Sequence, residues 1–304
     1  MNETYDLAIV GMGFAGYTGG IYAARYGLKT VIIGDVFGGQ TAEAHIIGNY
    51  PGFEEITGME LMQRVQAQTL KLGVTEIYER VNHVKVHGND NGFELELANG
   101  KTVTTKKVLL TIGMNRRKLN VPGESEFYGK GVTYCATCDG YFFKGKDVAV
   151  IGGGDSAVTA ALYLADICNS VQLIVRSDRL KAEQYWVNKL EQNKKITVRF
   201  NSGIEKFTGG ETLETIHTTN PETPEIHVSG AFIEIGHAPN KTFTEAIGIS
   251  TDEHGFIIVD KNQQTSQKGI FAAGDSTNAS NKFAQLLTAA SEAAIAVEAI
   301  TKGE

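Results

Sequence analysis

One pattern occurs twice in the chain and constrains its fold more than any other feature. Residues 6–33 begin with the apolar run DLAIV, continue through the glycine turn GMGFAG into a helical segment, and end in a second apolar run. Residues 147–175 repeat this order with DVAVI, the turn GGGDSA, a helical segment and VQLIV. Short apolar strands that alternate with helices are typical of parallel sheets. The repeat therefore predicts an α/β protein with two strand–turn–helix–strand units.

Both turns have the residue spacing of a dinucleotide-binding loop. The first two glycines of such a loop let backbone N–H groups approach a pyrophosphate, and the third position lets the helix pack closely on the strand. A single copy is weak evidence, because glycine turns without a ligand are common. Two copies, each between a strand and a helix, predict two bound dinucleotides. The loop positions are Gly11, Gly13 and Gly16 in the first copy, and Gly152, Gly154 and Ala157 in the second.

The two copies differ at the position where dinucleotides are told apart. At the same distance from the first glycine, the first copy has Asp35 and the second has Arg176. An acid there can accept hydrogen bonds from ribose hydroxyls, whereas an arginine suits a 2′-phosphate. Arg179 and Lys181 follow Arg176 and add positive charge, although Asp178 weakens it and the three cations could equally form a solvated helix start. This pattern favours NADPH over NADH in the second unit.

A pair of cysteines lies between the two copies. Cys135 and Cys138 have CxxC spacing, which permits a small-ring disulfide that exchanges electrons with a partner. A zinc site would need four ligands, and the chain has no second CxxC or CxxH among its seven scattered histidines. Asp139, next in sequence, is a candidate proton carrier for thiol chemistry or an ordinary acid in a turn. We predict a redox-active dithiol, and a packed, unreactive side chain for Cys168.

Composition limits the partners and the compartment. The 304 residues suffice for two domains, and the net charge of −7 argues against nucleic acid or an anionic membrane as the main partner. No apolar run approaches the length of a membrane span. The N-terminus has no basic segment before an apolar one, so we expect no secretory signal. Three cysteines are too few for a disulfide scaffold. We predict a cytoplasmic protein that binds neither membrane nor nucleic acid.

Taken together, these motifs resemble the low-molecular-weight thioredoxin reductases of bacteria and archaea. The resemblance covers essentially the whole chain, and the run CATCDG at residues 135–140 is its most specific part. The other segments that carry it are residues 11–16, 38–40, 49–52, 111–113, 121–124, 152–157, 235–240 and 269–275.

The resemblance implies a fold and a domain arrangement. The fold would be that of the class II pyridine nucleotide-disulfide oxidoreductases, in which two Rossmann-like three-layer domains bind nucleotides and the second is inserted into the first. The FAD domain would comprise residues 1–116 and 243–304. The NAD(P)H domain, residues 117–242, would carry the CxxC and rotate between two arrangements, because nicotinamide and disulfide must reach one flavin face. The resemblance also implies a homodimer.

The resemblance further assigns site residues. Electrons would pass from NADPH through FAD to the disulfide and then to thioredoxin or a similar small dithiol protein. Cys138 would face the flavin, Cys135 would attack the disulfide of thioredoxin, and Asp139 would protonate the departing thiolate. The residues implied for FAD are Gly11, Gly13, Phe14, Ala15, Gly16, Asp35, Gly39, Gln40, Asn49, Thr111, Gly113, Gly274, Asp275, Gln285 and Leu286. Those implied for NADPH are Gly152, Gly154, Asp155, Ser156, Ala157, Arg176, Arg179 and Lys181.

Two departures from the family pattern leave alternatives open. Members that use NADPH typically carry His-Arg-Arg and a later Arg, where this chain has Val-Arg-Ser at residues 175–177 and Lys181. Lysine supplies charge without the arginine fork, so recognition of the 2′-phosphate should be weaker. Ala284 stands before Gln285 where members have Arg. NADH or reduced ferredoxin therefore stays an alternative donor. Reduction of another small redox protein, and a redox sensor that holds FAD without turnover, stay alternative functions.

Overall fold

The structure is a computed structural model that describes residues 4–87 and 92–303. The chain forms two compact units. The first unit consists of Met1–Ala42, Ile47–Asn115 and Ala238–Glu304, and the second consists of Glu43–Ile46 and Arg116–His237. The second unit therefore ends a few residues before the predicted limit at residue 242, and it includes a short segment from the N-terminal part of the chain.

The elements follow one another as in an α/β protein. The strands are β1 (Tyr5–Val10), β2 (Thr30–Gly34), β3 (Thr75–Tyr78), β4 (Val81–His87), β5 (Gly92–Leu97), β6 (Thr102–Leu110), β7 (Asn115–Arg116), β8 (Val132–Thr133), β9 (Asp147–Ile151), β10 (Ser170–Ile174), β11 (Ile196–Arg199), β12 (Ile204–Gly209), β13 (Leu213–Thr218), β14 (Glu225–His227), β15 (Gly230–Ile233), β16 (His237–Ala238) and β17 (Ile270–Ala272). The helices are α1 (Phe14–Arg25), α2 (Gly39–Glu43), α3 (Gly58–Lys71), α4 (Ala136–Asp139), α5 (Asp155–Ile167), α6 (Gln184–Glu191), α7 (Lys241–Ala246) and α8 (Leu286–Lys302), with 3₁₀ turns at Gly140–Phe143 and Ala279–Lys282.

The first unit is built on a seven-stranded sheet. Its order is β3-β2-β1-β6-β5-β4, and β17 also pairs with β6. The pairs of β1 with β2 and β6, of β2 with β3, and of β17 with β6 are parallel, whereas β4–β5 and β5–β6 are antiparallel. Residues 7–10 of β1 are all buried, which explains why a parallel strand covered on both faces has an uninterrupted apolar sequence.

Helix α1 packs closely on this sheet because two of its residues lack side chains. A Cβ added at Gly20 would lie 2.8 Å from Cδ1 of Ile32 on β2, and one at Gly19 would lie 3.0 Å from Cδ2 of Leu109 on β6. The same Gly19 position is 3.9 Å from Cβ of Ala293, so α8 packs beside α1. The glycines thus bring the start of α1 against the carboxyl ends of the strands.

The second unit contains a five-stranded parallel sheet and a smaller antiparallel one. The parallel sheet has the order β11-β10-β9-β15-β8, and the antiparallel sheet has the order β12-β13-β14. Helix α5 covers the parallel sheet with a stripe of small apolar residues. Cys168 at the end of α5 is only 2% exposed, as predicted for a packed side chain.

Both repeated units predicted from the sequence are present. The glycine turns lead from β1 into α1 and from β9 into α5, and each helix is followed by a parallel neighbouring strand. The prediction of an α/β fold with two Rossmann-like units is therefore confirmed. Strands β7 and β16 pair as a separate two-stranded sheet. Across residues 4–87 and 92–303, none of the helices combines the length and apolarity that crossing a bilayer requires.

Candidate functional site

The first glycine turn leaves open space above its middle glycine. Gly13 has an extended backbone (φ −84°, ψ −174°) that any residue can adopt. A Cβ added there would meet no atom within 4 Å. Neither backbone strain nor internal packing therefore requires glycine at this position. The space lies at the start of α1, where the first backbone N–H groups lack partners within the helix. The turn thus fits a pyrophosphate that needs close access to the backbone.

The flanking glycines of the same turn serve the internal packing instead. Gly11 has φ +121°, and a Cβ there would lie 2.2 Å from the carbonyl oxygen of Thr111. A Cβ at Gly16 would lie 2.1 Å from the carbonyl oxygen of Gly11. The Thr111 hydroxyl donates to the carbonyl oxygens of Val10 and Gly11 at 3.1 and 3.2 Å. These contacts hold β6 against the turn and bring Thr111 to it.

The segment that begins α2 also reaches the turn. Gly39 has φ +50°, and a Cβ there would lie 3.6 Å from the Cα atom of Gly13. The neighbouring Gln40 donates from its amide nitrogen to the carbonyl oxygen of Met114 at 3.0 Å. That nitrogen lies 3.9 Å from the position of a Cβ on Gly113. Two predicted FAD residues thus approach the turn from one side, with Gly113 beside Gln40.

The C-terminal segment supplies the other side of this site. A Cβ at Gly274 would lie 3.3 Å from Cβ of Ala15 in α1. The Asn49 amide donates to the side-chain oxygen of Gln285 at 3.2 Å. Residues that are far apart in sequence are therefore brought together here.

For three other predicted FAD residues, the structure gives a position but no side-chain contact with the glycine turn. Asp35 is exposed, directly after β2. Phe14 is 5% exposed and packs edge-on against Tyr50 with 5.3 Å between ring centroids, so its side chain belongs to the packing of the unit. Leu286 is the first residue of α8 and is half-buried.

Glu292 is a site residue that the sequence analysis missed. It lies on α8, is 4% exposed, and its carboxylate accepts from the backbone N–H of Gly274 at 2.8 Å and from the hydroxyl of Thr277 at 3.2 Å. Burial, together with the nearby Glu292, raises the pKa of Asp275 to about 6. Glu292 occupies the same helix face as the buried Ala289 and Ala296. Helical periodicity could therefore have identified it as a buried acid.

The second glycine turn repeats the design of the first. Gly154 has an extended backbone (φ −97°, ψ −173°), and a Cβ there would meet no atom within 4 Å. Gly152 has φ +146°, and its Cβ would lie 2.1 Å from the carbonyl oxygen of Glu234 and 2.9 Å from Cβ of Ala157. The middle glycine again leaves room for a molecule outside the chain, while the first is needed for packing.

The segment predicted to hold the 2′-phosphate folds back over this turn. The backbone N–H of Lys181 donates to the carbonyl oxygen of Gly153 at 2.7 Å. Asp155 accepts from the backbone N–H of Glu183 at 2.7 Å, so its carboxylate orders the segment. The side chains of Arg176, Arg179 and Lys181 are all exposed, as is Ser156 at the start of α5. Cationic groups are thus available close to the open turn.

Cys135 and Cys138 form a disulfide at the short helix α4. Cys138 is exposed and Cys135 is half-buried. The backbone N–H of Cys138 donates to the sulfur of Cys135 at 3.2 Å, and the Thr137 hydroxyl lies 3.5 Å from that sulfur. The Cys138 N–H is a donor beside this sulfur and favours the thiolate form of Cys135 after reduction. The disulfide implied by the resemblance is therefore present, and Cys138 is its exposed member.

Asp139 lies at the end of the same helix. Its carboxylate accepts from the hydroxyl of Thr133 on β8, and its backbone N–H donates to the carbonyl oxygen of Cys135 at 3.2 Å. The predicted proton carrier is thus held beside the cysteine pair within the second unit.

A partly buried ion network in the second unit was not predicted. The Arg116 guanidinium contacts the carboxylate of Glu43 and, at 3.3 Å, that of Glu234. The Thr137 hydroxyl donates to the carbonyl oxygen of Glu43 at 3.0 Å, which connects the network to the disulfide helix. Burial raises the pKa of Glu234 to about 7, with Arg116 opposing and Glu43 adding to the shift. The three members lie far apart in sequence, so no local pattern marks them.

Glu234→Gln should change how the stability of the protein depends on pH. The pKa of Glu234 rises from an ordinary 4.5 to about 7 in the folded protein, so between these two pH values the folded state binds more protons than the unfolded state. The free energy of unfolding therefore falls as the pH rises through this window. Glutamine does not titrate, so the free energy of unfolding of the variant should not fall in this way. From the lower to the upper end of the window, it should rise by roughly 2 kcal/mol relative to that of wild type. Urea unfolding at several pH values measures it. Exposed Glu205→Gln is the control and should parallel wild type; a parallel curve for Glu234→Gln would contradict the assignment.

No group of three or more His, Cys, Asp or Glu side chains is arranged to hold a metal ion within the described ranges.

Comparisons with known proteins agree with this geometry. The family model described as pyridine nucleotide-disulphide oxidoreductase matches residues 5–294. The chain is 37% identical over 297 residues to a thioredoxin reductase from Mycoplasma genitalium, which covers 96% of this chain and 93% of the relative. The structure of the present chain is similar to that of a thioredoxin reductase from Lactococcus lactis, with a TM-score of 0.91, 36% identity and 98% of each chain covered. It is also similar to that of a thioredoxin reductase from T. acidophilum, with a TM-score of 0.92, 33% identity, and 99% of this chain and 98% of the other covered.

Proposed function

The chain belongs to the pyridine nucleotide-disulphide oxidoreductase family and, within it, to the thioredoxin reductases, and on this basis we propose that it passes electrons from NADPH through FAD to the Cys135–Cys138 disulfide and on to thioredoxin. The observation that carries the proposal is the disulfide itself, which has one exposed cysteine and a carboxylate next to it in sequence. A disulfide with an accessible sulfur can exchange with a second disulfide through a mixed intermediate.

We assign FAD to the first unit, the predicted FAD domain. The support is the open position at Gly13, together with Gly39 beside it and Gly274 against Ala15. Backbone N–H groups at the start of α1 would hold the pyrophosphate. Asn49 and Gln285, which hydrogen-bond each other, would hold the flavin end. When bound, FAD supplies the two-electron carrier between a nicotinamide and a disulfide.

We assign the nicotinamide nucleotide to the second unit. The open position at Gly154 supports this, because no internal contact explains a glycine there. Arg176 is the member of the expected phosphate motif that the chain retains, and Arg179 and Lys181 add charge nearby. A 2′-phosphate gains most from the planar guanidinium groups. NADPH is therefore our proposed donor, with NADH or reduced ferredoxin as the alternatives.

The chemistry of the dithiol follows from its surroundings. In the reduced protein, a thiolate at Cys135 would attack the disulfide of thioredoxin, breaking its S–S bond and forming a mixed disulfide. The departing thioredoxin sulfur takes a proton from the Asp139 carboxyl. Cys138 then gives its proton to the Asp139 carboxylate and attacks the Cys135 sulfur, which releases the second thioredoxin sulfur as a thiolate and restores the disulfide. The two electrons of the dithiol pass to thioredoxin, and the number of protons is conserved.

Thioredoxin would dock next to the disulfide. The 3₁₀ turn that follows it exposes two aromatic side chains, Tyr141 (66%) and Phe142 (76%). A pocket of about 570 Å³ lies beside Phe142, and Lys130 and Lys146 are among its lining residues. Exposed aromatic side chains at the rim of a pocket are typical of protein interfaces. These features support a protein partner, either thioredoxin or another small dithiol protein.

We also propose a homodimer. Helices α1 and α8 expose Tyr22, Tyr26 and Ile295 around a second pocket of about 560 Å³. An apolar face of this kind on two adjacent helices fits a symmetric contact between two copies. A single free cysteine, buried at Cys168, suits the reducing conditions of the cytoplasm, where we place the protein.

Anaerobic titration tests the donor and the acceptor together. NADPH should reduce and so bleach the flavin at a lower concentration than NADH does. Thioredoxin added afterwards should accept the electrons, which is measured as new free thiols on thioredoxin. Arg176→Ala should raise the NADPH concentration for half-saturation about tenfold while leaving NADH unchanged, because a charge-assisted bond to the 2′-phosphate is lost.

The control for this titration is Lys206→Ala, which removes an exposed cation from β12 of the same unit and should behave as wild type. If NADPH and NADH both leave the flavin oxidised while dithionite or reduced ferredoxin bleaches it, a nicotinamide donor is ruled out. If the flavin is reduced but thioredoxin is not, the acceptor is a different small redox protein.

A further inference from the structure

Thr133 connects the backbone at the disulfide to the Asp139 carboxylate. Its hydroxyl accepts from the backbone N–H of Cys135 at 3.2 Å and donates to Oδ2 of Asp139. A hydroxyl has one hydrogen, and the N–H of Cys135 can only donate. The hydrogen of Thr133 is therefore directed to the carboxylate. One side chain thus fixes both the cysteine and the acid that the proposed chemistry uses.

Thr133 itself sits in a rigid part of the second unit. It is 5% exposed, and its Cα pairs with that of Phe232 in the parallel β8–β15 ladder. The following residue, Tyr134, donates from its hydroxyl to the carboxylate of Glu124 at 2.7 Å, and Glu124 is 3% exposed. Contacts on both sides therefore hold the backbone of Thr133 in place. A hydroxyl on such a backbone is preorganised for a particular partner.

Asp139 depends on this contact for its orientation. In the part of the chain that the structure describes, Thr133 is the one side chain that hydrogen-bonds its carboxylate. The backbone of the acid lies between α4, a helix of four residues whose neighbouring Cys138 is exposed, and the 3₁₀ turn at Gly140–Phe143. Without the threonine hydroxyl, the carboxylate would lose this hydrogen bond, and no side chain of the described residues would fix its orientation.

We propose that Thr133 is a positioning residue, which holds the Asp139 carboxyl where a sulfur leaves when a disulfide opens. The inference rests on the proposed function of the dithiol. In the step, an incoming thiolate forms a bond to one sulfur, and the S–S electron pair moves to the other sulfur, which takes the proton of Asp139. The same role applies whether the disulfide that opens is in this chain or in thioredoxin.

The test uses the holoprotein and a small dithiol, so that neither donor nor thioredoxin is needed. Dithiothreitol reduces Cys135–Cys138 in wild type, Thr133→Val, Thr133→Ser and Asp139→Asn, and alkylation of the new thiols followed by mass measurement gives the rate across a range of pH. Valine has the shape of threonine without the hydroxyl, and serine keeps the hydroxyl. Thr133→Val should slow the reduction about tenfold, and Asp139→Asn at least as much. Thr133→Ser should stay within about twofold of wild type.

A second readout distinguishes positioning from loss of structure. The pH profile of the rate should change its shape in Thr133→Val towards that of Asp139→Asn, while Thr133→Ser keeps the wild-type profile. A general loosening of the fold would lower all rates without this resemblance, and urea unfolding checks for it. The inference is overturned if Thr133→Val keeps the wild-type rate and profile, if Thr133→Ser is as slow as Thr133→Val, or if Asp139→Asn is unimpaired. Failure of the wild type to reduce thioredoxin counts only against the proposed function.

Discussion

Cys138→Ser should leave a protein whose flavin is still reduced by the donor but which no longer reduces thioredoxin. The electron pair can leave the flavin only through the disulfide, and serine cannot form one. We expect the rate of thioredoxin reduction to fall by more than about a thousandfold, as when an enzyme loses its nucleophile. Turnover assays with thioredoxin measure the loss, and the absorbance of the flavin under anaerobic conditions shows that it is still reduced.

The third cysteine provides a matched control. Cys168 is buried, and burial raises the pKa of its thiol, which makes the thiolate scarce. Its sulfur donates to the carbonyl oxygen of Phe143 at 3.3 Å, a hydrogen bond that a serine hydroxyl can also make. Cys168→Ser should therefore keep wild-type activity. Undiminished disulfide reduction by Cys138→Ser would instead support a redox sensor that binds FAD without using the dithiol.

Gly13→Val should yield a folded but colourless protein. The extended backbone of Gly13 accepts a valine, and no protein atom lies within 4 Å of a Cβ added there, so folding should be little affected. The added side chain would occupy the room proposed for the FAD pyrophosphate, and FAD affinity should fall about a hundredfold or more. The ratio of flavin absorbance to protein absorbance after purification, and titration with added FAD, measure the effect.

Gly154→Val is the reciprocal variant in the second unit. It should be yellow, because the first turn is intact, yet NADPH should reduce its flavin only at much higher concentration. Gly210→Ala controls for glycine replacement in general, since its nearest neighbour would be the Glu214 carboxylate at 3.5 Å. If Gly13→Val retains FAD with wild-type affinity, the first turn is not part of the cofactor site.

The parts of the site that the sequence predicts are those whose geometry is local. A glycine turn between a strand and a helix fixes its own backbone, so Gly13 and Gly154 could be identified from spacing alone. The same holds for Cys135 and Cys138, because two intervening residues bring the sulfurs within bonding reach. The parallel strands around these motifs could be predicted because each is a short, uninterrupted apolar run.

The missed residues act through contacts between distant parts of the chain. Arg116 meets Glu43 and Glu234 only after the second unit has folded, and each looks like an ordinary charged residue in the sequence. Thr133 is two residues from Cys135, but a threonine at that position is common in strands, and its partner is defined by the turn of α4. Asp155 accepts from the backbone N–H of Glu183, a contact that spacing does not predict, and its assignment to the nucleotide stays a prediction.

The two open glycine positions have a consequence for the history of the chain. A residue that the fold requires cannot be replaced without loss of stability. A Cβ added at Gly13 or Gly154 would have no protein atom within 4 Å, so the packing of the fold does not require glycine at either position. A lineage that abandoned either nucleotide could accept larger residues there without harm to folding, and random substitution would soon replace them. The glycine in the middle of each turn is therefore explained by room for a nucleotide and not by the packing of the fold, as the proposed function requires.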